Sequence, residues 1–207
     1  MKLIDFAINR ISSVLLLLAT FAVLAPAFAS EIPKRVLILN SYHPGFSFSD
    51  SEVEGVKSAL PAGTEINIEY MDCKRVPGDN RYMHMLYEIY RYKYSESTFD
   101  AIASLDDDAF QFLRQYHSRL FPNIPVVFIG VNLFEDNMLE GKNLFTGVVE
   151  TIDIEQSTAV ALKLHPKAKT IHVVTDNTTT GKINREIIKK LDTNKAFHIP
   201  VEFLDTG

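Results

Sequence analysis

Uninterrupted apolar runs alternate with helically spaced apolar residues from residue 35 onward. Residues 36–39 (VLIL) and 126–129 (VVFI) contain no polar position, which is typical of strands covered on both faces in a parallel sheet. Val53, Val56 and Leu60 recur at helical spacing after the first run. This alternation predicts an α/β fold, with a Rossmann-like parallel sheet and helices on both of its faces.

The same patterns predict the remaining elements. Further strands are expected at residues 65–71, 99–105, 145–150 and 170–175 and from residue 201. Helices are expected after Ser49 or Asp50 as the N-cap, and at residues 81–93, 106–120, 154–162 and 183–191. In the second of these helices, the predicted inner face comprises Tyr82, Met85, Leu86, Ile89 and Tyr90.

The N-terminal segment differs from the rest. Lys2 and Arg10 precede a short apolar stretch, and Ala27-Phe28-Ala29 matches a small-x-small cleavage pattern. Residues 1–29 are therefore predicted to be a secretory signal peptide, with an uncleaved membrane anchor as the alternative. Residues 30–150 are predicted to form a first α/β lobe, and residues 151–207 the beginning of a second, truncated lobe. The predicted location is the periplasm.

Charge and cysteine content narrow the possible partners. The formal net charge is −5, which argues against nucleic acid or an anionic membrane surface as the main partner. The single cysteine, Cys73, has no partner for an internal disulfide. It is expected to be a packed, buried residue rather than a nucleophile.

Polar turns follow the predicted strands, and open α/β sheets bind ligands at the carboxyl ends of their strands. The candidate ligand-binding residues are Ser41, Tyr42, His43, Asp72, Asp106, Asp107, Gly130, Asn132, Asp176, Thr180 and Gly181. Each residue alone is equally well explained as a cap or turn residue, so the prediction concerns the set. Its aromatic and acidic members suit a small amine, amino acid or aromatic solute.

Other chemistries have weaker support. Ser41 and His43 suggest a secreted hydrolase, but no G-x-S-x-G elbow is present. Neither nucleotide-binding glycine motif occurs, and the six histidines are scattered, which argues against zinc. The acids at residues 106–108 match no EF-hand spacing. We therefore expect no catalytic residue, metal or cofactor.

Six segments, taken in order, resemble one known family. They include ILNSYHPGFSFSDSEVEGV, EYMDCKR, FDAIASLDDDAF, FPNIPVVFIGVN, TGVVE and HPKAKTIHVVTDNTTTG. Together they resemble the ABC transporter substrate-binding protein family of type I periplasmic-binding folds. The nearest version is the extracytoplasmic input domain of sensor histidine kinases and diguanylate cyclases.

This resemblance implies two Rossmann-like lobes that hold a small solute between them, joined by a crossing segment near residues 147–152. It implies a non-catalytic module that relays binding to a transporter or to a signalling output domain. Because the sequence ends at Gly207, several strands of the second lobe are absent from it, and the chain is expected to be a fragment or a truncated form.

Overall fold

Seven strands and five helices alternate along the part of the chain that the computed structural model describes, residues 33–132 and 134–205. The predicted signal peptide at residues 1–29 lies outside these described residues. In chain order the elements are β1 Arg35–Asn40, α1 Ser47–Ala59, β2 Glu65–Tyr70, α2 Asn80–Lys93, β3 Ala101–Leu105, α3 Asp106–Leu120, β4 Val126–Val131, β5 Phe145–Val149, α4 Ile154–Leu164, β6 Ile171–Thr175, α5 Thr179–Thr193 and β7 Val201–Asp205. A short 3-10 helix, Asp136–Leu139, precedes β5.

The strands form two parallel sheets. The larger sheet has the order β2-β1-β3-β4-β5, and β6 pairs with β7 in a separate sheet. This arrangement confirms the predicted α/β class. The break between the sheets falls between β5 and β6, close to the boundary predicted at residue 150. The assignment of two lobes stays a prediction.

Helices cover both faces of the larger sheet. On one face, Val53 of α1 packs with Val36, Ile38, Ala103 and Leu105. On the other, residues of α2 and α3 pack with Leu37 and Leu39. Successive side chains of β1 therefore enter two different cores, which explains its unbroken apolar run. Each fully buried Leu or Ile stabilises the fold by about 1.5–3 kcal/mol.

The strand order places a topological switch point between β1 and β3. The chain leaves β1 towards the α1 face and leaves β3 towards the opposite face, where α3 packs. The two connections diverge at the carboxyl ends of these strands, which opens a crevice there. The residues that follow β1 and β3 are therefore the ones placed for contact with a ligand.

Two details of the helices differ from the sequence predictions. Helix α1 begins at Ser47, and its N-cap position, Phe46, makes no side-chain cap. The predicted cap Asp50 instead lies in the first turn, where it accepts a hydrogen bond from the Gly45 N–H. The other predicted cap, Ser49, is buried and donates to Asn40 Oδ1 at 2.8 Å. The predicted cap position was therefore wrong, because tertiary contacts use both side chains.

The predicted inner face of α2 was partly wrong. Met85 and Ile89 are about half exposed, whereas Met83, Leu86 and Tyr90 are buried. Asp79 caps this helix by accepting from the Tyr82 N–H at 2.8 Å, and Met83, Leu86 and Tyr90 form the face that packs into the core. Among the described residues, every helix is too short or too polar for a transmembrane span.

Candidate functional site

Tyr42 lies at the switch point and joins it to the second sheet. Its hydroxyl donates to Asp106 Oδ1 at 2.9 Å and lies 3.0 Å from Thr180 Oγ1. Tyr42 immediately follows the turn after β1, Asp106 opens α3, and Thr180 lies in the first turn of α5. Residues far apart in the sequence therefore meet at one edge, as the positions of the strand ends predicted.

The N-terminal turn of α5 rests on this edge through a second contact. Thr179 Oγ1 donates to Asp108 Oδ1 at 2.8 Å. Thr178 caps the helix by accepting from the Gly181 N–H at 3.2 Å. A Cβ on Gly181 would lie 2.1 Å from Asp176 Oδ1, so glycine at this position lets the Asp176 carboxylate fold back against the turn.

A cleft of about 530 Å³ opens beside these contacts. Its walls are the segment after β2 and the segment after β6. The lining residues are Cys73, Lys74, Arg75, Pro77, Gly78, Asp79, Asp176, Asn177, Thr178, Thr179 and Lys182. Of the predicted site residues, only Asp176 is among them. The sequence reasoning missed Lys74 and Lys182 because no local pattern connects two segments a hundred residues apart.

The cleft presents both charges, and two of its cations, Lys74 and Lys182, have no ion pair within the described residues. Arg75 Nε is paired with Asp72 Oδ1 at 2.6 Å. The Lys74 ammonium lies 4.9 Å from the centroid of the Tyr42 ring and 5.4 Å from that of Phe46. Lys74 therefore connects the cleft to the Tyr42 side of the edge, and the surface between them suits an anionic or aromatic group.

Three predicted site residues use their polar groups inside the protein. Ser41 is fully buried, donates to the Leu105 carbonyl at 2.6 Å and accepts from the Ala109 N–H at 2.9 Å. Asp107 accepts from the Asn132 N–H and from Asn132 Nδ2, both at 2.9 Å. These bonds fasten β1 and β4 to the start of α3. Contact of Ser41, Asp107 or Asn132 with a solute stays a prediction.

The hydrolase alternative requires a nucleophile and a base in contact, which Ser41 and His43 do not provide. The buried Ser41 hydroxyl is occupied by two backbone groups, and His43 Nδ1 lies 3.1 Å from the Pro44 carbonyl. His43 is partly exposed at the edge, and its ring lies 6.1 Å from that of Phe46. This arrangement lacks the serine–histidine hydrogen bond that such chemistry needs.

A carboxyl group that the sequence analysis did not select lies behind Tyr42. Glu52 of α1 is partly buried, and its Oε1 would be 2.9 Å from a Cβ built on Gly130. Gly130 has φ +73° and marks a bulge between β4 and β5, so glycine is required there. Gly130 was among the candidate ligand-binding residues, and in this structure the Glu52 carboxylate occupies the space beside it.

Burial raises the pKa of most acids at this edge. Burial, opposed by the Tyr42 hydrogen bond and assisted by Asp107 and Glu150, raises the pKa of Asp106 to about 7. Burial, together with Asp106 and Glu150, raises the pKa of Glu52 to about 8. Burial also raises the pKa values of Asp107 and Asp108 above the usual range. The edge therefore holds protons near neutral pH.

Two ionisable groups that line the cleft, Asp176 and Cys73, have pKa values shifted in opposite directions. Burial opposes ionisation of Asp176, yet the hydrogen bonds from Thr178 lower the pKa of that carboxyl. Burial raises the pKa of the Cys73 thiol, and Cys73 is 4% exposed. The expectation that Cys73 is a packed residue is thereby confirmed. Within the described residues, no three His, Cys, Asp or Glu side chains are grouped to hold a metal ion.

Solved structures with the same fold were found by structural comparison. The ABC domain in complex with L-Trp from Streptococcus pneumonia matches with a TM-score of 0.53 and 16% identity, over 82% of this chain and 56% of that one. A conserved domain protein from Vibrio cholerae O1 biovar El Tor matches with a TM-score of 0.53 and 17% identity, over 83% and 57% of the two chains. An amino acid ABC transporter substrate-binding protein from Pseudomonas fluorescens shows a weaker likeness, with a TM-score of 0.45 and 14% identity, over 84% and 47%.

These similarities concern the fold alone, and they confirm the predicted α/β fold with a parallel central sheet. The chain spans somewhat more than half the length of the first two structures. No family model and no curated protein sequence matches the chain.

Proposed function

We propose that this chain is the solute-binding part of an extracytoplasmic receptor and that it has no catalytic role. A small solute binds in the cleft between the segments that follow β2 and β6, with the switch-point residues at its edge. The first sheet and its helices form one lobe, residues 30–150, and residues 151–207 begin the other. Binding at this position is relayed to a transporter or to a signalling output domain.

One observation carries this proposal. The 530 Å³ cleft is lined from both sheets, and the Tyr42–Thr180 and Asp108–Thr179 contacts join the two sheets beside it. A solute in the cleft touches both sides at once, so its binding energy depends on how the sides are arranged. That dependence is what a receptor requires, because a ligand shifts a conformational equilibrium only by its differential affinity.

The residue types at the edge favour a small amine, amino acid or aromatic solute. Carboxyl groups lie behind Tyr42, lysines line the cleft, and the Tyr42 and Phe46 rings pack edge to face at 5.2 Å. One of the solved structures that share the fold holds L-Trp, which is consistent with this class. The proposed location is the periplasm, with residues 1–29 as the export signal or anchor.

Thermal unfolding of the full chain in the presence of individual solutes tests the proposal. The panel comprises L-amino acids, primary amines, aromatic acids and sugars. We expect a member of the panel to raise Tm, and Lys74→Ala and Lys182→Ala to weaken its binding by at least fivefold. Lys190→Ala is the matched control, because Lys190 is exposed in the last turn of the same helix and lies outside the cleft. A panel without any effect on Tm, or equal loss in all three variants, would overturn the proposal.

A further inference from the structure

Two carboxyl groups behind Tyr42 each carry an oxygen without a partner. Asp106 is 2% exposed, and its Oδ2 has no hydrogen-bond partner within the described residues. Glu52 Oε2 also has no hydrogen-bond partner within the described residues. This oxygen is buried, although Glu52 as a whole is only partly buried. Buried polar atoms are satisfied in the great majority of cases, so unpaired acceptors on two residues that both border Gly130 require an explanation.

Both residues lie beside Gly130, Glu52 through a carboxylate oxygen and Asp106 through its backbone. An ideal Cβ on Gly130 would lie 2.9 Å from Glu52 Oε1, 3.8 Å from the Asp106 nitrogen and 3.9 Å from the Asp106 Cα. The left-handed φ of Asp106, +69°, turns this residue out of the helical path of α3. A left-handed φ is unfavourable for residues other than glycine. The hydrogen bond from the Tyr42 hydroxyl to the Asp106 carboxylate helps to hold it.

The ionisable groups near Asp106 and Glu52 add to the free-energy cost of burying two carboxylates. Tyr42, Asp107 and Glu150 are the titratable groups that act on Asp106, and Asp106 and Glu150 act on Glu52. Within the described residues, no Lys, Arg or His lies within ion-pair distance of Asp106 or Glu52. The chain thus buries acidic groups without supplying a cation, which is costly unless they hold protons or a cation arrives.

The chemistry identifies the missing partner. A primary ammonium has three N–H donors and no acceptor, which complements two carboxyl groups that each offer an unused oxygen. A metal ion needs more ligands than this pair supplies, and the described residues contain no metal-type cluster. Lys74 and Arg75 line the cleft, and within the described residues neither forms an ion pair with Asp106 or Glu52.

We infer that Glu52 and Asp106 form a cation subsite that takes the protonated primary amine of the bound solute. This inference rests on the proposed solute-binding function and narrows its ligand class. Tyr42 separates the subsite from the cleft: its hydroxyl contacts Asp106, and its ring lies beneath the Lys74 ammonium. An amine therefore reaches the pair by displacing the Tyr42 hydroxyl or Thr180 from this contact.

Matched probes test the subsite in the full chain. L-Tryptophan and indole-3-propanoate differ only in the α-ammonium group, and 2-phenylethylamine and 2-phenylethanol differ only in the amine. A further set of primary alkyl amines is compared with the corresponding alcohols. Calorimetry measures Kd, and buffers with different ionisation enthalpies measure proton release. We expect the amine members to bind at least tenfold more tightly than their partners and to release protons at pH 7.

Variants complete the test. Glu52→Gln and Asp106→Asn keep the shape of each side chain, and Asn tolerates the left-handed conformation. Each variant is expected to weaken amine binding at least tenfold and to reduce proton release. Glu54→Gln is the control, because Glu54 lies on the exposed face of α1, where it pairs with Lys57. Circular dichroism and Tm establish that each variant folds.

The outcomes separate the subsite from the wider function. If anionic or neutral solutes bind and no amine exceeds its matched partner, the subsite is overturned and the proposed function stands. If amines bind but both variants retain affinity within twofold, the assignment to Glu52 and Asp106 is overturned. If no solute of any class binds, both proposals fall.

Discussion

Thr179 and Asp108, 71 residues apart in the sequence, are joined by a hydrogen bond of 2.8 Å from the threonine hydroxyl to the carboxylate. This bond places the start of α5 against the first turn of α3, and the neighbouring Tyr42–Thr180 contact repeats the connection. The β6–β7 sheet is thereby attached to the carboxyl edge of the larger sheet through two threonine hydroxyls.

Thr179→Val removes the hydroxyl while keeping the shape of the side chain. The loss of one hydrogen bond, with an acceptor left unpaired, is expected to lower the free energy of unfolding by about 1 kcal/mol. Urea denaturation monitored by circular dichroism measures this. The control is Thr193→Val at the other end of the helix, where the hydroxyl only bonds back to the Lys189 carbonyl. Equal losses in the two variants would show that the Asp108 contact adds nothing specific.

Tyr42→Phe removes the donor to Asp106. That hydrogen bond lowers the pKa of Asp106 against the effect of burial, so the variant is expected to raise this pKa above about 7. Carboxyl carbon shifts, followed by NMR across a pH titration, measure the change. Tyr92→Phe serves as the control, since Tyr92 is 88% exposed. An unchanged or lowered pKa of Asp106 would contradict the hydrogen-bond assignment.

The acid pair makes stability depend on pH in a defined direction. The pKa of Asp106, about 7, and that of Glu52, about 8, both exceed their ordinary values of 3.8 and 4.5. Between about pH 4 and 8 the folded chain therefore binds more protons than the unfolded chain, and stability falls as pH rises. The contribution of the pair is complete below the unfolded pKa values and is lost as the pH passes the folded ones.

Comparison with the double variant Glu52→Gln/Asp106→Asn isolates this contribution. Burial lowers the pKa of His117, which works in the opposite direction below about pH 6.5 in both proteins. Urea denaturation at pH 5 and at pH 8 is expected to show a larger loss of stability in the unmodified chain than in the double variant. If the free energy of unfolding changes by the same amount between pH 5 and pH 8 in the two proteins, the prediction is contradicted.

Gly130→Ala places a methyl group 2.9 Å from Glu52 Oε1 at a left-handed φ. The cost is expected to be roughly 1–3 kcal/mol, measured as the loss in free energy of unfolding. Gly55→Ala is the matched control: Gly55 lies within α1, and a Cβ added there would meet open space, so this variant is expected to gain about 0.5–1 kcal/mol. If Gly130→Ala leaves the free energy of unfolding unchanged, the bulge and Glu52 move to admit the methyl group without cost, which contradicts the prediction.

The layered fold could be predicted from the sequence alone, because strands that are buried on both faces appear there as runs of apolar residues. The runs in β1 and β4 contain no polar residue, and a strand that feeds two cores needs such a run. The strand ends were equally readable, since Tyr42, Asp72, Asp106 and Asn132 all follow strands as expected. Membership of a common edge followed from the geometry of parallel sheets.

Side-chain partners were not predictable in the same way. Glu52 sits four residues before Val56 and so borders the inner face of α1, but only the bulge at Gly130 creates the space that admits its carboxylate. Met85 and Ile89 were expected to be buried, yet α2 packs on the core through Met83, Leu86 and Tyr90 and leaves them exposed. Such outcomes depend on contacts between segments far apart in the chain.

The two threonine hydroxyls at the start of α5 also act as a latch with a calculable strength. Separating the two sheets at this edge breaks both bonds, and at about 0.5–1.5 kcal/mol each they favour the joined arrangement by roughly 5- to 150-fold. This is the share of the preference for the joined arrangement that the two bonds supply. A ligand that replaced both bonds with its own would remove that share, so its effect on the arrangement would be bounded by the same factor.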